Sequence, residues 1–166
     1  MPMDMIATRD GGFLVVGATN NALTTGNDIL AIKFDSGANI EWVGIYSGGS
    51  EEFANGVVES ANGGYLVTGV SSSYGDNSKT SVLFMKISPT GQRIWSKLIG
   101  GVSAGSMGRR TKQSKDGAIY IGGNTEAFGI PNNQDILVAK FNSNGDLQWV
   151  KLLGGLGEST LWSLIT

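Results

Sequence analysis

One stretch of the chain has the form of an esterase nucleophile motif. Residues 101–105 read GVSAG, which matches the pattern G-x-S-x-G, where a serine lies at a sharp turn between a strand and a helix. Such a serine needs a histidine to accept its proton, and the chain contains no histidine. No helix is expected here either, so the sequence favours a Gly/Ser-rich loop over a site for acyl transfer.

The carboxylates give weak signals for catalysis or metal binding. Glu51 and Glu52 are adjacent, so on a strand they point to opposite faces, whereas a glycosidase needs two carboxyl groups that converge about 5 to 10 Å apart. The segment NSNGD at 142–146 resembles the start of an EF-hand loop but lacks the distal glutamate, so a hairpin turn is the better interpretation. Asp28 and Asp135 are expected to bond to the backbone, because calcium would need several more oxygen ligands. We therefore expect no catalytic residue, metal site or cofactor, with calcium as an unsupported alternative.

A basic stretch is less easily set aside. The segment GRRTKQSK at 108–115 carries Arg109, Arg110, Lys112 and Lys115, which are four of the 12 lysines and arginines. The simpler interpretation is a degenerate strand whose long side chains reach solvent. The alternative is a contact with an anion or acidic ligand, since guanidinium groups hold carboxylate or phosphate in a bidentate manner.

Composition argues against several classes of protein. The net charge of −2 provides no positive field for nucleic acid or an anionic membrane. No apolar run approaches the ~20 residues that span a bilayer. The N-terminal segment MPMDMIATRDGG lacks the basic and apolar regions of a signal peptide, so we expect none in this chain. The absence of cysteine excludes disulfides and thiolate metal sites.

A threefold internal repeat is the strongest feature of the sequence. Trp42, Trp95 and Trp149 are separated by 53 and 54 residues, and the lysines at 33, 86 and 140 have the same spacing. Such a period points to arrays of small sheets such as propeller blades. The chain is therefore predicted to be a single repeat array over 1–166, with units at 3–49, 50–101 and 102–155 and a partial fourth unit at 156–166.

Each unit predicts four short strands, a to d. In the second unit, strand a is expected near 56–60, and YLVTGVS, SVLFMKIS and RIWSKLI follow as strands b, c and d. The glycines between these segments supply the positive φ that hairpin turns require. Strand c is nearly continuous in apolar residues, which is typical of a sheet covered on both faces. The prediction is an all-β fold of three four-stranded antiparallel units plus one extra inner strand.

Several segments resemble the bacterial β-propeller repeats of the seven-bladed (SBBP-type) family. They are GGFLVVGAT with GGYLVTGVS, NDILAIKFD with QDILVAKFN, and the tryptophan that precedes Gly-Gly. TGQRIW is also similar to the tryptophan-docking motif of quinoprotein-type propellers. The resemblance implies a partial propeller whose tryptophans lock adjacent blades, an extracellular or cell-surface location, and a central channel lined by strand a. Ser81 departs from the pattern, because the other two units carry an aspartate there.

Two functional classes follow. The first is a non-catalytic propeller segment that acts as a binding or display scaffold for a protein or glycan ligand. Closed propellers have about 4 to 8 blades, so further blades of a longer chain, or a second copy in a homodimer, would complete the ring. The alternative is a fragment of a propeller enzyme, quinoprotein-like or polysaccharide-acting, whose catalytic residues lie on other blades. The missing histidine and cysteine favour the scaffold.

Divergent loops predict the position of a binding face. The b–c and d–a loops differ in every unit, whereas the a–b and c–d turns are short and similar. Rigid strands with divergent loops on one side are a common arrangement for recognition, although loop length also drifts where packing does not constrain it. The candidate binding residues are Glu51, Glu52, Tyr74, Asp76, Arg109, Arg110, Phe128 and Asn132.

Overall fold

The computed structural model describes residues 1–20, 26–73, 79–100, 105–126 and 134–154, together with Ser159, Leu161 and Ser163. The predicted all-β class is confirmed for these residues, which contain twelve strands and no helix. Accordingly, no helix in the described part of the chain is long and apolar enough to cross a membrane. The strands are β1 (Pro2–Ala7), β2 (Phe13–Asn20), β3 (Asn27–Phe34), β4 (Ile40–Tyr46), β5 (Glu52–Glu59), β6 (Tyr65–Ser71), β7 (Ser81–Ile87), β8 (Arg93–Ile99), β9 (Ser106–Gln113), β10 (Ile119–Thr125), β11 (Asp135–Phe141) and β12 (Leu147–Leu153).

The strands form three antiparallel sheets, one from each repeat of the sequence. The first sheet has the order β1-β2-β3-β4, the second β5-β6-β7-β8 and the third β9-β10-β11-β12. Within each sheet, strands that are consecutive in the chain lie side by side, as predicted for four-stranded meanders. Of the extra strand expected in the partial fourth unit, only Ser159, Leu161 and Ser163 are described. Ser159 N donates a hydrogen bond to Gln134 O (2.8 Å), which places Ser159 beside the third sheet.

Two clusters of buried side chains join the sheets face to face. The first cluster connects the first and second sheets and includes Leu14, Ala31 and Met85. The second cluster connects the second and third sheets and includes Phe84 and Phe141, whose rings lie 4.8 Å apart. The middle sheet thus has both faces covered, and every residue of β6 is buried.

The outer sheets do not match the expectation that every strand c is covered on both faces. In β3 and β11 buried residues largely alternate with partly exposed ones, whereas β7 has four consecutive buried residues. The reason is that the first and third sheets each pack on only one neighbouring sheet within the described residues. Their second faces therefore keep apolar side chains in solvent, including Val43 (54% exposed) and Leu153 (56%).

Two repeated tryptophans lie on the c–d turn of the following sheet. In each c–d turn one residue has a left-handed backbone: Ala38 (φ 62°), Gly91 (φ 80°) or Gly145 (φ 81°). Trp42 covers Gly91 so closely that a Cβ added there would be 2.7 Å from the indole, and its Nε1 donates to Pro89 O (2.9 Å). Trp95 covers Gly145 in the same way, with a Cβ there 2.5 Å from its ring.

Substituting the glycine under an indole is expected to cost more than its backbone conformation explains. Gly91 and Gly63 have nearly the same φ (80° and 81°), but a Cβ at Gly63 would meet no atom within 4 Å. Gly63→Ala should lower the free energy of unfolding by about 1–2 kcal/mol, the left-handed strain alone. Gly91→Ala should cost about 1–3 kcal/mol more, because the indole must move. Urea denaturation of both variants measures the difference.

The Trp42→Ala background is the control for that difference. Removing the indole should bring the cost of Gly91→Ala close to that of Gly63→Ala, because a Cβ at position 91 then meets no ring. Equal costs in the parent chain would contradict the proposed contact.

Candidate functional site

A β-bulge recurs at the same position of the first strand in every sheet. The pairing of β1, β5 and β9 with their neighbours each skips one residue, and these bulged residues are Met3, Asn55 and Arg109. They are 52 and 54 residues apart and thus occupy equivalent places in the repeat. A bulge leaves its residue outside the ladder and re-aims its side chain.

A glycine on the neighbouring strand accommodates each bulge. Gly17, Gly69 and Gly123 lie opposite the residue that precedes the bulge. A Cβ at any of them would overlap a carbonyl oxygen of the bulged strand. Their φ values are not in the left-handed region, so the requirement is purely steric. The glycine inside each strand b therefore permits the close approach that forms the bulge.

The bulges of the second and third sheets are hydrogen-bonded to each other. Asn55 Nδ2 donates to Gly108 O (2.8 Å), and Arg110 Nη1 donates to Asn55 O (2.8 Å) and Arg109 O (2.9 Å). Among the described residues, no carboxylate oxygen lies within 4.0 Å of Arg110. Arg110 is half-buried, so its remaining guanidinium donors can serve a bound anion at lower cost than fully solvated ones.

Met3, Asn55, Arg109 and Arg110 line one cleft of about 180 Å³. Its position is where the first strands of the three sheets meet, since β5 packs against both β1 and β9. We call these four residues the inner-strand site. Arg109 is fixed by Nε, which donates to Asn124 Oδ1 (2.7 Å), and Asn124 Nδ2 in turn donates to Ser159 O (2.7 Å).

The two candidate glutamates lie elsewhere, at the connection between the first and second sheets. Glu52 is 3% exposed; its carboxylate accepts hydrogen bonds from Ser71 Oγ (2.8 Å), Ser73 Oγ and Gly48 N (2.7 Å). Glu51 Oε2 accepts hydrogen bonds from the backbone and side chain of Asn27. Both carboxylates are therefore used to hold the connection against the sheets.

The other four candidates cannot be compared with this geometry. Tyr74, Asp76, Phe128 and Asn132 lie outside the described residues. A cleft of about 170 Å³ has Thr80, Ser106, Asn124, Glu126 and Gln134 in its lining, and Glu126 and Gln134 flank residues 127–133 in the sequence. Asn124 contributes to this cleft and also holds Arg109, so it links the predicted loop face to the inner-strand site. The sequence contains no signal that singles out Asn124.

A buried lysine with two carboxylates is the other cluster with chemical potential. Lys33 is 1% exposed, and its Nζ lies 2.9 Å from Asp10 Oδ2 and 2.8 Å from Glu41 Oε2. Burial alone would lower the pKa of Lys33, but the hydrogen bonds to Glu41 and Asp10 outweigh it and raise that pKa. Hydrogen bonds from Thr8, Lys33 and Gly12 hold the pKa of Asp10 well below its ordinary value of 3.8. A lysine kept charged in this way cannot act as a base, so the cluster is structural.

The described residues contain no group of three or more acidic side chains that would hold a metal ion. Asp28 and Asp135 are both buried, at 0% and 7% exposure, at the beginning of strand c. Comparison with protein-family models and with curated proteins finds no match for this chain.

Substitutions of Glu52 test whether the connection between the first and second sheets depends on a buried carboxylate. Glu52→Ala should lower the free energy of unfolding by about 2–4 kcal/mol, because at least two buried donors lose their acceptor. Glu52→Gln keeps one acceptor oxygen and should cost less. Chemical denaturation checks the order; a parent-like Glu52→Ala variant would show that water replaces the carboxylate without loss.

Asp10 gives an expected dependence on pH. Its folded-state pKa is below the unfolded value of 3.8, so its contribution to stability is complete above that pH and is lost as the pH falls further. Asp10→Asn should be less stable than the parent at neutral pH, and the difference should shrink from about pH 4 downwards. Urea denaturation at several pH values measures it, and a constant difference down to about pH 2 would contradict the ion pair.

Proposed function

We propose that the chain is a segment of a β-propeller and serves as a non-catalytic binding or display scaffold. The propeller is supported by the relation between neighbouring sheets. The first strand of each following sheet packs across the preceding one: β5 contacts β1, β2 and β3, and β9 contacts β5, β6 and β7. Repeating this relation around an axis would bring the first strands to the centre of a ring. Three sheets are too few for a ring, so further sheets are part of the proposal.

The scaffold role is supported by the use of the polar residues. The carboxylates of Glu51, Glu52 and Asp10 are occupied by internal hydrogen bonds. The charged lysine of the first sheet is bound by two carboxylates. These groups hold the sheets together and are not placed to transfer a proton to a substrate. The proposed location outside the cell rests on the sequence resemblance alone.

The ligand that the inner-strand site fits best is an anionic group, either a carboxylate or a phosphate. The observation that carries this proposal is Arg110, whose Nη1 is held by the Asn55 carbonyl while no carboxylate of the described residues neutralises it. Asn55 orients the guanidinium, and Arg109 adds a second positive charge to the same cleft. A guanidinium group binds an anion more strongly than an exposed lysine does, because its planar donors match the oxygen atoms of the anion.

Binding is tested by titrating the ¹⁵N-labelled protein with three probes. Inorganic phosphate tests for a phosphate site, trigalacturonate for a carboxylate site, and the neutral maltotriose for binding of an uncharged sugar. We expect an anion to shift resonances of β5 and β9 and maltotriose to leave them unchanged. Arg110→Gln should weaken binding about ten-fold or more, the loss of one hydrogen bond to a charged group. Affinity should fall as the salt concentration rises.

Arg93→Gln is the matched control, because Arg93 is an exposed arginine on an outermost strand. It removes the same charge but should leave anion affinity within about two-fold of the parent. Equal losses in the two variants would indicate a general effect of charge and would sink the proposed site. The absence of any shift with both anions would do the same.

A further inference from the structure

Both interfaces between sheets use the left-handed glycine of a c–d turn in two ways. Its missing Cβ leaves room for the indole of the preceding sheet, as with Trp42 on Gly91 and Trp95 on Gly145. Its carbonyl accepts a hydrogen bond from the same outer strand. Tyr46 Oη donates to Gly91 O (2.7 Å), and Lys97 Nζ donates to Gly145 O.

The third sheet presents the corresponding groups on its outer face. Among the described residues, no c–d turn of a following unit packs on that face. Trp149 and Lys151 correspond to Trp95 and Lys97, 54 residues earlier. The centre of the Trp149 ring lies 6.3 Å from the centre of the Tyr120 ring. Lys151 Nζ lies 5.5 Å from the centre of the Trp149 ring. The strongest sign of a missing neighbour is Leu153, which is 56% exposed.

The position that corresponds to Leu153 in the first sheet is buried by its neighbour. Tyr46 occupies it and is only 9% exposed. We define the docking face by Trp149, Lys151 and Leu153. The continuity of this face with the two formed interfaces indicates that its partner is a unit of the same kind.

The first sheet of a second copy does not fit the docking face. Its c–d turn has Ala38 where the other two have glycine, and the backbone takes the same left-handed conformation (φ 62°). A Cβ added at Gly91 or Gly145 would lie 2.7 or 2.5 Å from the indole that packs there. Ala38 has a Cβ at the equivalent position of its turn. An indole cannot approach this turn as closely as it approaches the other two.

We propose that the docking face binds a further repeat whose c–d turn carries glycine, and that Ala38 prevents a second copy of this chain from taking that place. Assembly is then directional: the third sheet accepts a neighbour through its tryptophan, whereas the c–d turn of the first sheet does not receive an indole in the same way. This favours further blades over a homodimer as the means of completing the array. It does not depend on anion binding at the inner-strand site.

The test supplies a glycine turn by the single change Ala38→Gly, so that the variant chain is itself the probe. Sedimentation equilibrium should show that Ala38→Gly self-associates about ten-fold or more tightly than the parent chain, because the overlap with the indole is removed. The matched control is Ala61→Gly, the same change in an exposed a–b turn, which should leave the association constant unchanged. Adding Trp149→Ala to Ala38→Gly should return association to the parent level.

Leu153→Asp is a second probe of the docking face, because Leu153 is 56% exposed and is not part of the buried core. It should also reverse the association of the Ala38→Gly chain while the circular dichroism spectrum stays unchanged. Two results would overturn the proposal. In the first, the parent chain self-associates as tightly as the Ala38→Gly chain, and Leu153→Asp abolishes that association. The other is association of Ala38→Gly no tighter than that of Ala61→Gly.

Discussion

The structure depends on burying each sheet face against another sheet. A four-stranded sheet of this length has apolar side chains on both sides, and only the middle sheet has a neighbour on each side within the described residues. The burial patterns record this directly: every residue of β6 is buried, whereas β3 and β11 largely alternate. Stability is therefore a property of the interfaces more than of any one sheet. The indole on the turn glycine sets how closely two sheets approach.

The same repeated backbone also produces the inner-strand site. A bulge frees one carbonyl and one side chain of each first strand from the ladder, and at Asn55 the neighbouring sheet uses both. Asn55 shows this with its carbonyl bound to Arg110 and its amide bound to Gly108 O. The contact that connects two sheets therefore also orients the guanidinium. The proposed anion site and the contact between the two sheets therefore share the same atoms.

The sequence predicted the strands, their order and the repeat because turn glycines and apolar runs act locally. The sequence also contains a signal for the bulges, because an isolated glycine inside each strand b indicates a close approach of the neighbouring backbone. Glu51 and Glu52 were chosen from loop divergence, and their hydrogen bonds to Asn27, Ser71 and Ser73 depend on how two sheets meet. Ala38 carries no signal in the sequence, because the presence of a Cβ at that turn matters only when an indole lies above it. Contacts between repeats are not visible in the pattern of one repeat.

The bulge has a further consequence for how such a chain can diversify. Met3, Asn55 and Arg109 occupy one backbone position with a thioether, an amide and a guanidinium, while the opposing glycine is kept in all three repeats. The ladder places no demand on that side chain, so its chemistry can vary without a change of register. Each repeat thus contributes one residue whose side chain is outside the ladder to the inner-strand site. The chemical character of this cleft can therefore change while the register of the three sheets stays the same.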